Sequence, residues 1–385
     1  MTALDRISAY AEELTAIRRD LHEHPELGFE ELRTSGIVAE TLRGFGIEVT
    51  TGVGKTGVVG VIRGNRPGRN IGLRADMDAL PIQEQTNLPY ASKTPGVMHA
   101  CGHDAHTTML LGAARYLAEN RDFAGNAVLI FQPAEEGLGG ARAMIADGLF
   151  QRFPCHEIYG LHNSPLDGPG EIGVKPGPAM AGADFFDITV TGKGGHAARP
   201  EAAIDPLVIA SALVGQLQTI VSRNLPPTTP AVLSITQIHA GAAYNVIPEE
   251  ATLCGTVRYF DREASELIGA RMAEICDGFA RAHGAQIRLD RRNVFDVLVN
   301  SAAHAEHMLA AARELTGDGK SRQKDSLVMG SEDFADMLRL VPGAYCTIGH
   351  SGDVPLHNAG FVLDDAILPL GAALLARMVE TRGAA

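Results

Sequence analysis

The order of helices and strands changes in the middle of the chain, and this change most constrains the fold. Between residues 185 and 290 the hydrophobic patterns follow a β-α-β-β-α-β order. The predicted elements are a strand at 185–191, a helix at 206–222, strands near 231–239 and 250–259, a helix at 262–283 and a short strand at 286–290. This order is typical of a small α+β domain with a split β-α-β arrangement.

Helical and strand patterns alternate on both sides of this segment. Helical patterns cover 3–21, 32–42, 104–118 and 139–146, and strand patterns cover 57–62, 70–74, 127–131 and 158–161. Such alternation favours an α/β layer structure with a largely parallel sheet. We therefore predict a larger α/β domain, residues 1–178 and 294–385, with a ferredoxin-like α+β domain inserted at residues 179–293.

Charge and cysteine content limit the partners and the compartment. The formal net charge is -13, from 33 basic and 46 acidic residues. Such a surface repels phosphate backbones, so we expect no nucleic-acid partner. Five scattered cysteines do not form a disulfide framework and fit a reducing compartment. Because no apolar leader or membrane-length stretch is found, we expect a cytoplasmic protein without a membrane partner.

One glycine-rich segment imitates a nucleotide-binding loop. Gly52, Gly54 and Gly57 match the pattern GxGxxG, which needs a helix directly after the loop. A strand pattern follows instead, from Val58 to Ile62. We therefore predict a hairpin turn and no nucleotide cofactor.

The sequence His-Ala-Cys-Gly-His-Asp at 99–104 is the strongest local signal for chemistry. A thiolate at Cys101 and an imidazole at His103 can face one cation, and Gly102 allows the backbone to bend between them. The alternative is a buried cysteine beside two solvent-exposed histidines.

Two adjacent acids follow the strand pattern at 127–131. Burying both Glu135 and Glu136 is costly unless a cation or a proton compensates their charge. One carboxylate can bind a metal while its neighbour transfers protons, and a solvated acidic turn is the alternative.

Two more histidines occupy comparable positions. His162 follows a strand pattern, and His357 lies in a loop near the C-terminus. A single histidine in such a loop is usually structural. Several of these groups nevertheless fall at inferred strand ends, where open α/β sheets bind their ligands. The joint pattern therefore predicts a site.

In combination, these motifs resemble the M20 metallopeptidase/amidohydrolase family. The resemblance is to the branch with hippurate hydrolases, auxin–amino-acid conjugate hydrolases and related N-acyl-amino-acid amidohydrolases, and it runs almost end to end. It is carried by RRDLHEHPELG at 18–28, RADMDALP at 74–81, HACGHD at 99–104, PAEEG at 133–137, GLH at 160–162, GGHAA at 194–198, NVIP at 245–248, GSEDF at 330–334 and LHN at 356–358.

The resemblance implies a two-metal site with a general base. The implied metal ligands are Cys101, His103, Glu136, His162 and His357. Cys101 takes the bridging position, where many relatives have an aspartate, and Glu135 matches the base. Many relatives also have a histidine where Asp76 stands, and we assign no metal to Asp76. Two divalent ions are expected, and mixed sulfur, nitrogen and oxygen ligands suit Zn, Mn, Co or Ni.

Supporting roles follow from the same resemblance. Asp78 matches a carboxylate that orients a ligand histidine. His196 matches a histidine that reaches the site of a neighbouring subunit and holds the oxyanion, with Asn245 nearby, and this implies a homodimer. Ser331 lies in a loop that supports the site. From their charge alone, Arg199 and Arg258 are candidates for binding a substrate carboxylate, and solvent-facing or structural ion-pair arginines are the alternatives. His22, His24, His99 and His106 are interpreted as supporting residues.

The expected reaction is metal-dependent hydrolysis of the amide bond of an N-acyl amino acid. A dipeptidase or carboxypeptidase that acts on short peptides is the alternative within the same chemistry. Two further alternatives are a thiol amidase with Cys101 as nucleophile and a structural metal site in a binding protein. Structural zinc sites are normally closed by four ligands, whereas five candidate ligands and a spare carboxylate favour catalysis.

Overall fold

The chain, described by a computed structural model over residues 2–350 and 352–384, forms two compact units. The larger unit comprises Met1–Gly177, Val299–Ser326 and Asp333–Ala385, and the second comprises Pro178–Leu298 and Leu327–Glu332. The changes of unit at 177/178 and 298/299 lie within five residues of the expected domain boundaries.

One segment departs from the expected division. Residues 327–332 were expected in the larger domain, but they group with the second unit. The reason is backbone pairing, because Val328 N–H donates to Ala179 O at 3.0 Å and Ala181 N–H donates to Val328 O at 3.0 Å. The residues that make this contact lie far apart in sequence, so no local pattern could indicate it.

Within the described residues the chain forms eleven α-helices. They are α1 Ala3–Ser8, α2 Ala11–Glu23, α3 Leu32–Gly44, α4 His103–Glu119, α5 Gly140–Ala146, α6 Leu149–Arg152, α7 Pro206–Asn224, α8 Arg262–His283, α9 Ala302–Thr316, α10 Phe334–Leu338 and α11 Leu368–Arg382. No helix in the described part combines the length and the apolar composition needed to cross a membrane.

The strands run through both units. They are β1 Glu48–Val53, β2 Gly57–Arg63, β3 Arg66–Asp76, β4 Ala124–Gln132, β5 Glu157–Ser164, β6 Ile172–Val174, β7 Gly177–Met180, β8 Gly182–Thr191, β9 Gly195–His196, β10 Ala231–Ala240, β11 Val246–Ile247, β12 Glu250–Tyr259, β13 Gln286–Phe295, β14 Leu298–Asn300, β15 Ser321–Gln323 and β16 Gly343–Gly349.

The larger unit is built on an eight-stranded sheet in the order β1-β2-β4-β3-β5-β16-β6-β15. The four central strands β4, β3, β5 and β16 are parallel neighbours, whereas β1, β2 and β4 pair antiparallel and β6 is antiparallel to β16. The prediction of a largely parallel sheet therefore holds for its four central strands. On each side of them the sheet continues with an antiparallel pair. Because the central strands are parallel, the segments that follow β3, β4 and β5 leave the sheet at one edge.

Helix α4 connects β3 to β4 and is buried along most of its length. It packs against α11 and α2. A Cβ added to Gly112 would lie 3.0 Å from the Ala372 Cβ, so the two backbones approach closely there. Each large apolar side chain buried in this core stabilises the fold by roughly 1.5–3 kcal/mol. The core therefore holds the start of α4 in a fixed place.

The helix expected at residues 3–21 is divided into α1 and α2. The chain leaves helical geometry near Tyr10, where φ is -116° and ψ is 25°. Both helices bury apolar residues at compatible spacing, Ile7 in α1 and Leu14 and Leu21 in α2. Because the apolar periodicity continues across the break, it predicted one helix instead of two.

The second unit contains a four-stranded sheet in the order β10-β12-β8-β13 with antiparallel neighbours. Helices α7 and α8 pack together and against the strands, around an apolar core that includes Ile188, Leu213, Leu253 and Ile268. The β-α-β-β-α-β order is confirmed. Strand β13 continues to Phe295, five residues beyond the expected end.

The glycine-rich segment at 52–57 is a hairpin turn, as predicted. Strands β1 and β2 pair antiparallel on either side of it. Gly54 has φ +62° and Lys55 has φ +81°, and a Cβ on Gly54 would lie 2.6 Å from the Met144 backbone nitrogen. Glycine is therefore required by the turn and by close packing.

Candidate metal centre

The Cys101–His103 segment enters the site through a left-handed glycine. Gly102 precedes α4 with φ +91°, and a Cβ there would lie 2.3 Å from Asn163 Oδ1. Any side chain at this position would displace the end of β5. The bend places Cys101 and His103 at the carboxyl edge of the sheet, beside His162.

Among the groups of donor atoms that the described residues form, three consist of expected ligands and Glu135, and within each group the atoms are within 4.8 Å of one another. Cys101 groups with His103 and His162, and it groups again with Glu136 and His357. The third group joins His103 and Glu136 to Glu135. The Cys101 sulfur is common to the first two groups, so it lies between two clusters of potential ligands. All five residues that the sequence suggested as ligands are therefore brought together.

Hydrogen bonds fix the rings of His103, which is buried, and His162, which is half-buried. His103 Nδ1 lies 3.1 Å from Asp78 Oδ1, and His162 Nδ1 lies 2.7 Å from the backbone oxygen of Asn163. Each Nδ1 therefore carries the proton and donates it, which leaves the Nε2 lone pair available to a metal ion. Asp78 contacts the His103 ring, and its role as an orienting carboxylate stays a prediction.

The donor atoms have the chemistry that a divalent cation requires. His103 Nε2 is buried and has no hydrogen-bond partner among the residues that the structure describes, and such atoms are costly to leave unsatisfied. His162 Nε2 faces the Cys101 sulfur at 3.4 Å. Thiolate, imidazole and carboxylate are the ligands that zinc and similar divalent ions prefer. The residues fit a metal centre.

The pKa shifts reflect crowding of anions and burial. Burial and the nearby Glu136 charge raise the pKa of the Cys101 thiol. Contacts with Cys101 and Glu136 raise the pKa of His357 to about 10. Burial lowers the pKa of His162 well below its usual value, and the neighbouring His106 acts in the same direction. Cys101 and Glu136 thus favour positive charge at His357, whereas burial disfavours it at His162.

His357 reaches the centre from a strained loop. Its φ is +61°, and its N–H donates to Ala100 O at 2.9 Å. Its Nε2 lies 3.1 Å from Glu136 Oε1, and about half of its side chain, 52%, remains exposed. A non-glycine residue in this region of φ is uncommon and is frequently functional. His357 thus forms the open side of the centre.

Glu135 is buried next to these donors. The residue is 6% exposed, and its carboxylate belongs to the group with His103 and Glu136. It follows Ala134, whose φ is +53°. The tight turn directs two successive carboxylates toward the same place.

A buried network behind the centre involves His106, whose partners were not foreseen from the sequence although a supporting role was expected. His106 Nδ1 lies 2.6 Å from Asp76 Oδ1, and His106 Nε2 lies 2.8 Å from Asn163 Oδ1. Arg74 donates to the other Asp76 oxygen at 2.7 Å. His106 therefore connects Asp76 to the strand end that positions His162. His106 lies three residues after His103 on α4, so both side chains are on one face of the helix. This spacing is the sequence signal that could have suggested the contact of His106 with the site.

The remaining histidines of the N-terminal motifs lie apart from the donor groups. His22 Nδ1 is 2.8 Å from Asp104 Oδ2, and Arg18 Nε lies 2.9 Å from the same oxygen. His24 Nδ1 contacts Asp20 O at 2.9 Å. Burial lowers the pKa of His99 to about 4. His22 and His24 thus have hydrogen-bond partners outside the donor groups, and their supporting role stays a prediction.

Within the second unit, two pairs of predicted residues are neighbours. Ala197 N–H, next to His196, donates to Asn245 O at 3.0 Å, and Arg258 donates to Ser331 Oγ at 2.5 Å. His196 is exposed, and its Nδ1 accepts the Ala198 N–H at 3.1 Å. A neutral His196 ring therefore carries its proton on Nε2 and can donate it.

The chain is similar to known proteins in both sequence and structure. Residues 72–381 match the family described as Peptidase family M20/M25/M40. The chain belongs to this family. The predicted family and the α/β architecture with an inserted domain are confirmed.

Individual relatives are similar over nearly their whole length. Hippurate hydrolase of Campylobacter jejuni is 45% identical and covers 95% of both chains. Thermostable carboxypeptidase 2 of Saccharolobus solfataricus is 40% identical over 94% of this chain and 93% of its own. The solved YXEP protein of Bacillus subtilis, described as a dinuclear metal binding peptidase, is 37% identical with a TM-score of 0.85, covering 97% of this chain and 98% of its own.

Proposed function

We propose that this protein is an amidohydrolase that cleaves the amide bond of N-acyl amino acids with the help of two divalent metal ions. The observation that carries this proposal is the convergence of one thiol, three imidazoles and one carboxylate, from four separate chain segments, with a second carboxylate beside them. The similarity to hippurate hydrolase supports the choice of an N-acyl amino acid as substrate.

The proposed ligands divide into two sets that share the Cys101 sulfur. One set adds His103 and His162, and the other adds Glu136 and His357. The similarity to a dinuclear metal binding peptidase supports two ions rather than one. We propose Zn, Mn, Co or Ni, because mixed sulfur, nitrogen and oxygen ligands suit these metals.

Residues of the chain supply the proton transfers. Divalent ions held at this centre would polarise the scissile carbonyl and lower the pKa of a water molecule. Glu135 takes a proton from the water, whose oxygen adds to the carbonyl carbon. The C–N bond then breaks, and Glu135 returns the proton to the leaving amine nitrogen. His196 of a second subunit would donate its Nε2–H to the developing oxyanion.

A substrate panel with defined metals tests the proposal. The purified protein is stripped with a chelator, reloaded with one metal at a time, and assayed with N-benzoyl, N-acetyl and unblocked dipeptide substrates. We expect no turnover after stripping, recovery with at least one of the four metals, and a higher kcat/KM for N-acyl amino acids than for dipeptides. Full activity in the stripped, metal-free protein would overturn it.

A carboxypeptidase activity on short peptides is the second candidate. The 40% identity to thermostable carboxypeptidase 2 favours it, and the same panel separates the two because the order of kcat/KM reverses. A thiol amidase is disfavoured because the Cys101 sulfur belongs to two donor groups, one with His103 and His162 and one with Glu136 and His357, where a divalent ion would occupy it. A thiol enzyme would also survive metal removal.

We further propose a homodimer formed through the second unit, in the cytoplasm. Strand β10 is an edge strand of its sheet, and it carries the exposed apolar residues Val232 and Ile238. Such an edge is a template for pairing with another chain. All five cysteines are free, which supports a reducing compartment. Light scattering should give about twice the 40.7 kDa of one chain, and cell fractionation tests the compartment.

A further inference from the structure

A buried glutamate far from the metal ligands in sequence holds the loop that carries Glu135. Glu31 lies just before α3 and is completely buried. Its Oε1 accepts the Ala134 N–H at 2.8 Å, and its Oε2 accepts the Thr56 hydroxyl at 2.6 Å. Burial raises the pKa of Glu31. A carboxylate is costly to bury, so its placement requires a compensating role.

The backbone on the two sides of Glu135 is held by two different carboxylates. Glu31 binds the amide of Ala134, and Asp78 Oδ2 accepts the amide of Glu136 at 3.0 Å. The Asp78 contact belongs to the metal centre through His103, whereas the Glu31 contact does not touch any proposed ligand. The backbone before Glu135 is therefore held by Glu31, and the backbone after it is held by Asp78.

The loop needs this support because its conformation is unfavourable. Ala134 has φ +53°, a region that costs a non-glycine residue of order 1 kcal/mol or more. The loop is also confined from the other side, since a Cβ on Gly28 would lie 3.0 Å from Ala134 Cα. The N-terminal segment that includes Gly28 and Glu31 thus fixes the turn before the base.

We infer that Glu31 is a positioning residue for the proposed base Glu135, acting through the Ala134 amide. This inference rests on the proposed function. A displacement of the carboxylate by about 1 Å from the attacking water is enough to reduce turnover by roughly 10²-fold. Because Asp78 still holds the Glu136 amide when Glu31 is replaced, metal content and substrate binding should be preserved.

The test compares Glu31 with a matched carboxylate in the same segment. Glu26 also accepts two backbone amides, those of Arg33 and Thr34, at 2.9 and 2.8 Å, but these lie on α3 and not on the loop. We expect Glu31→Ala to lower kcat by about 10–100-fold with KM within about twofold and the metal content unchanged. Glu26→Ala should keep kcat within about twofold of the parent, although its Tm should fall about as much as that of Glu31→Ala.

A conservative variant and a double variant complete the design. Glu31→Gln should keep most of the activity, because its amide oxygen accepts the Ala134 N–H and its amide nitrogen donates to the Thr56 oxygen. In a Glu135→Gln background, Glu31→Ala should cause no further loss of the residual rate, since the group it positions is already disabled. If Glu31→Ala does not fold, Glu31→Asp replaces it, because the shorter side chain cannot span both partners.

The outcomes separate the inference from the proposed function. Unchanged kcat in Glu31→Ala, equal losses in the Glu26 and Glu31 variants, or loss of metal from Glu31→Ala would each overturn the positioning role. Should Glu135→Gln itself turn over at the parent rate with metal bound, the proposed function fails. An inactive Glu135→Gln beside a fully active Glu31→Ala overturns the positioning role alone.

Discussion

At the scale of single residues, neighbouring side chains of one type are assigned different tasks by their contacts. Glu135 and Glu136 are adjacent carboxylates, yet Glu136 lies 3.1 Å from the His357 ring and shares a donor group with Cys101. Glu135 shares a group with Glu136 and His103 but not with the Cys101 sulfur. The first arrangement suits a metal ligand, and the second suits a base beside the metal.

Exchanging each carboxylate for an amide should separate the two roles. Glu135→Gln is expected to retain metal and lose about 10²–10⁴-fold in kcat, because an amide cannot accept the proton of water. Glu136→Gln is expected to lose metal as well as activity, since a neutral amide is a weaker ligand. Elemental analysis and steady-state kinetics on the same samples measure both. An active, metal-loaded Glu135→Gln would contradict the assignment.

At the scale of elements, the entry to α4 depends on a glycine between two functional side chains. Gly102 combines φ +91° with a Cβ position 2.3 Å from Asn163 Oδ1. The same helix is anchored by its buried faces, so the strain cannot be relieved by moving α4. The backbone conformation and the packing against Asn163 therefore both require glycine at position 102.

Gly102→Ala should lower stability by about 1–3 kcal/mol and reduce metal content, since the new methyl group displaces Asn163 and with it His162. Gly215→Ala is the matched control. Gly215 lies within α7, and a Cβ there would meet no atom within 4 Å, so this change should be neutral or stabilising by up to about 1 kcal/mol. Urea unfolding of both variants checks the difference, and equal stabilities would contradict the steric account.

Glu157 connects three elements of the larger unit and predicts a pH effect. It lies at the start of β5, is 1% exposed at its side chain, and pairs with Arg69 at 2.8 Å and Arg382 at 2.9 Å. Burial acts to raise the pKa of Glu157, but Arg382 and the Tyr159 hydroxyl more than offset this and hold the pKa below its usual value. The folded state therefore binds this proton less tightly than the unfolded state does.

The contribution of Glu157 should be complete above the unfolded pKa of about 4.3 and should disappear as the pH falls through the lower folded value. Glu157→Gln is expected to cost about 1–3 kcal/mol of unfolding free energy at pH 7 and less at pH 3 than at pH 7. Urea titrations at pH 7, 5, 4 and 3 measure the difference between the two proteins. A difference that stays constant with pH would exclude the ion pairs as its source.

At the scale of the whole molecule, the proposed dimer predicts that one site uses residues from two chains. Mixing Glu135→Gln with His196→Ala, each inactive alone, should restore activity when subunits exchange. One of the two sites in a mixed dimer then holds both native residues, and random reassociation gives about a quarter of the parent activity. No recovery despite proven exchange would place His196 in its own subunit's site or outside catalysis.

Particular elements show which parts of the fold could be predicted from the sequence. The bounds of β12 and α8 and the order of elements in the second unit were predicted, because apolar periodicity there coincides with element ends. The break between α1 and α2 was missed, since the apolar spacing continues across it. The grouping of Leu327–Glu332 with the second unit was missed because it depends on backbone hydrogen bonds across about 150 residues.

The sequence by itself determined the family, the alternation of helices and strands, and the identity of the five candidate ligands with Glu135. These are local matters of motif and periodicity. Only the tertiary structure decided which ring nitrogen of His103 and His162 is left for a cation, that His106 supports Asp76, and that Glu31 holds the turn before the base. Each of these depends on contacts between distant segments, and such contacts are set by how the sheet edge and the buried helix pack, which no local pattern encodes.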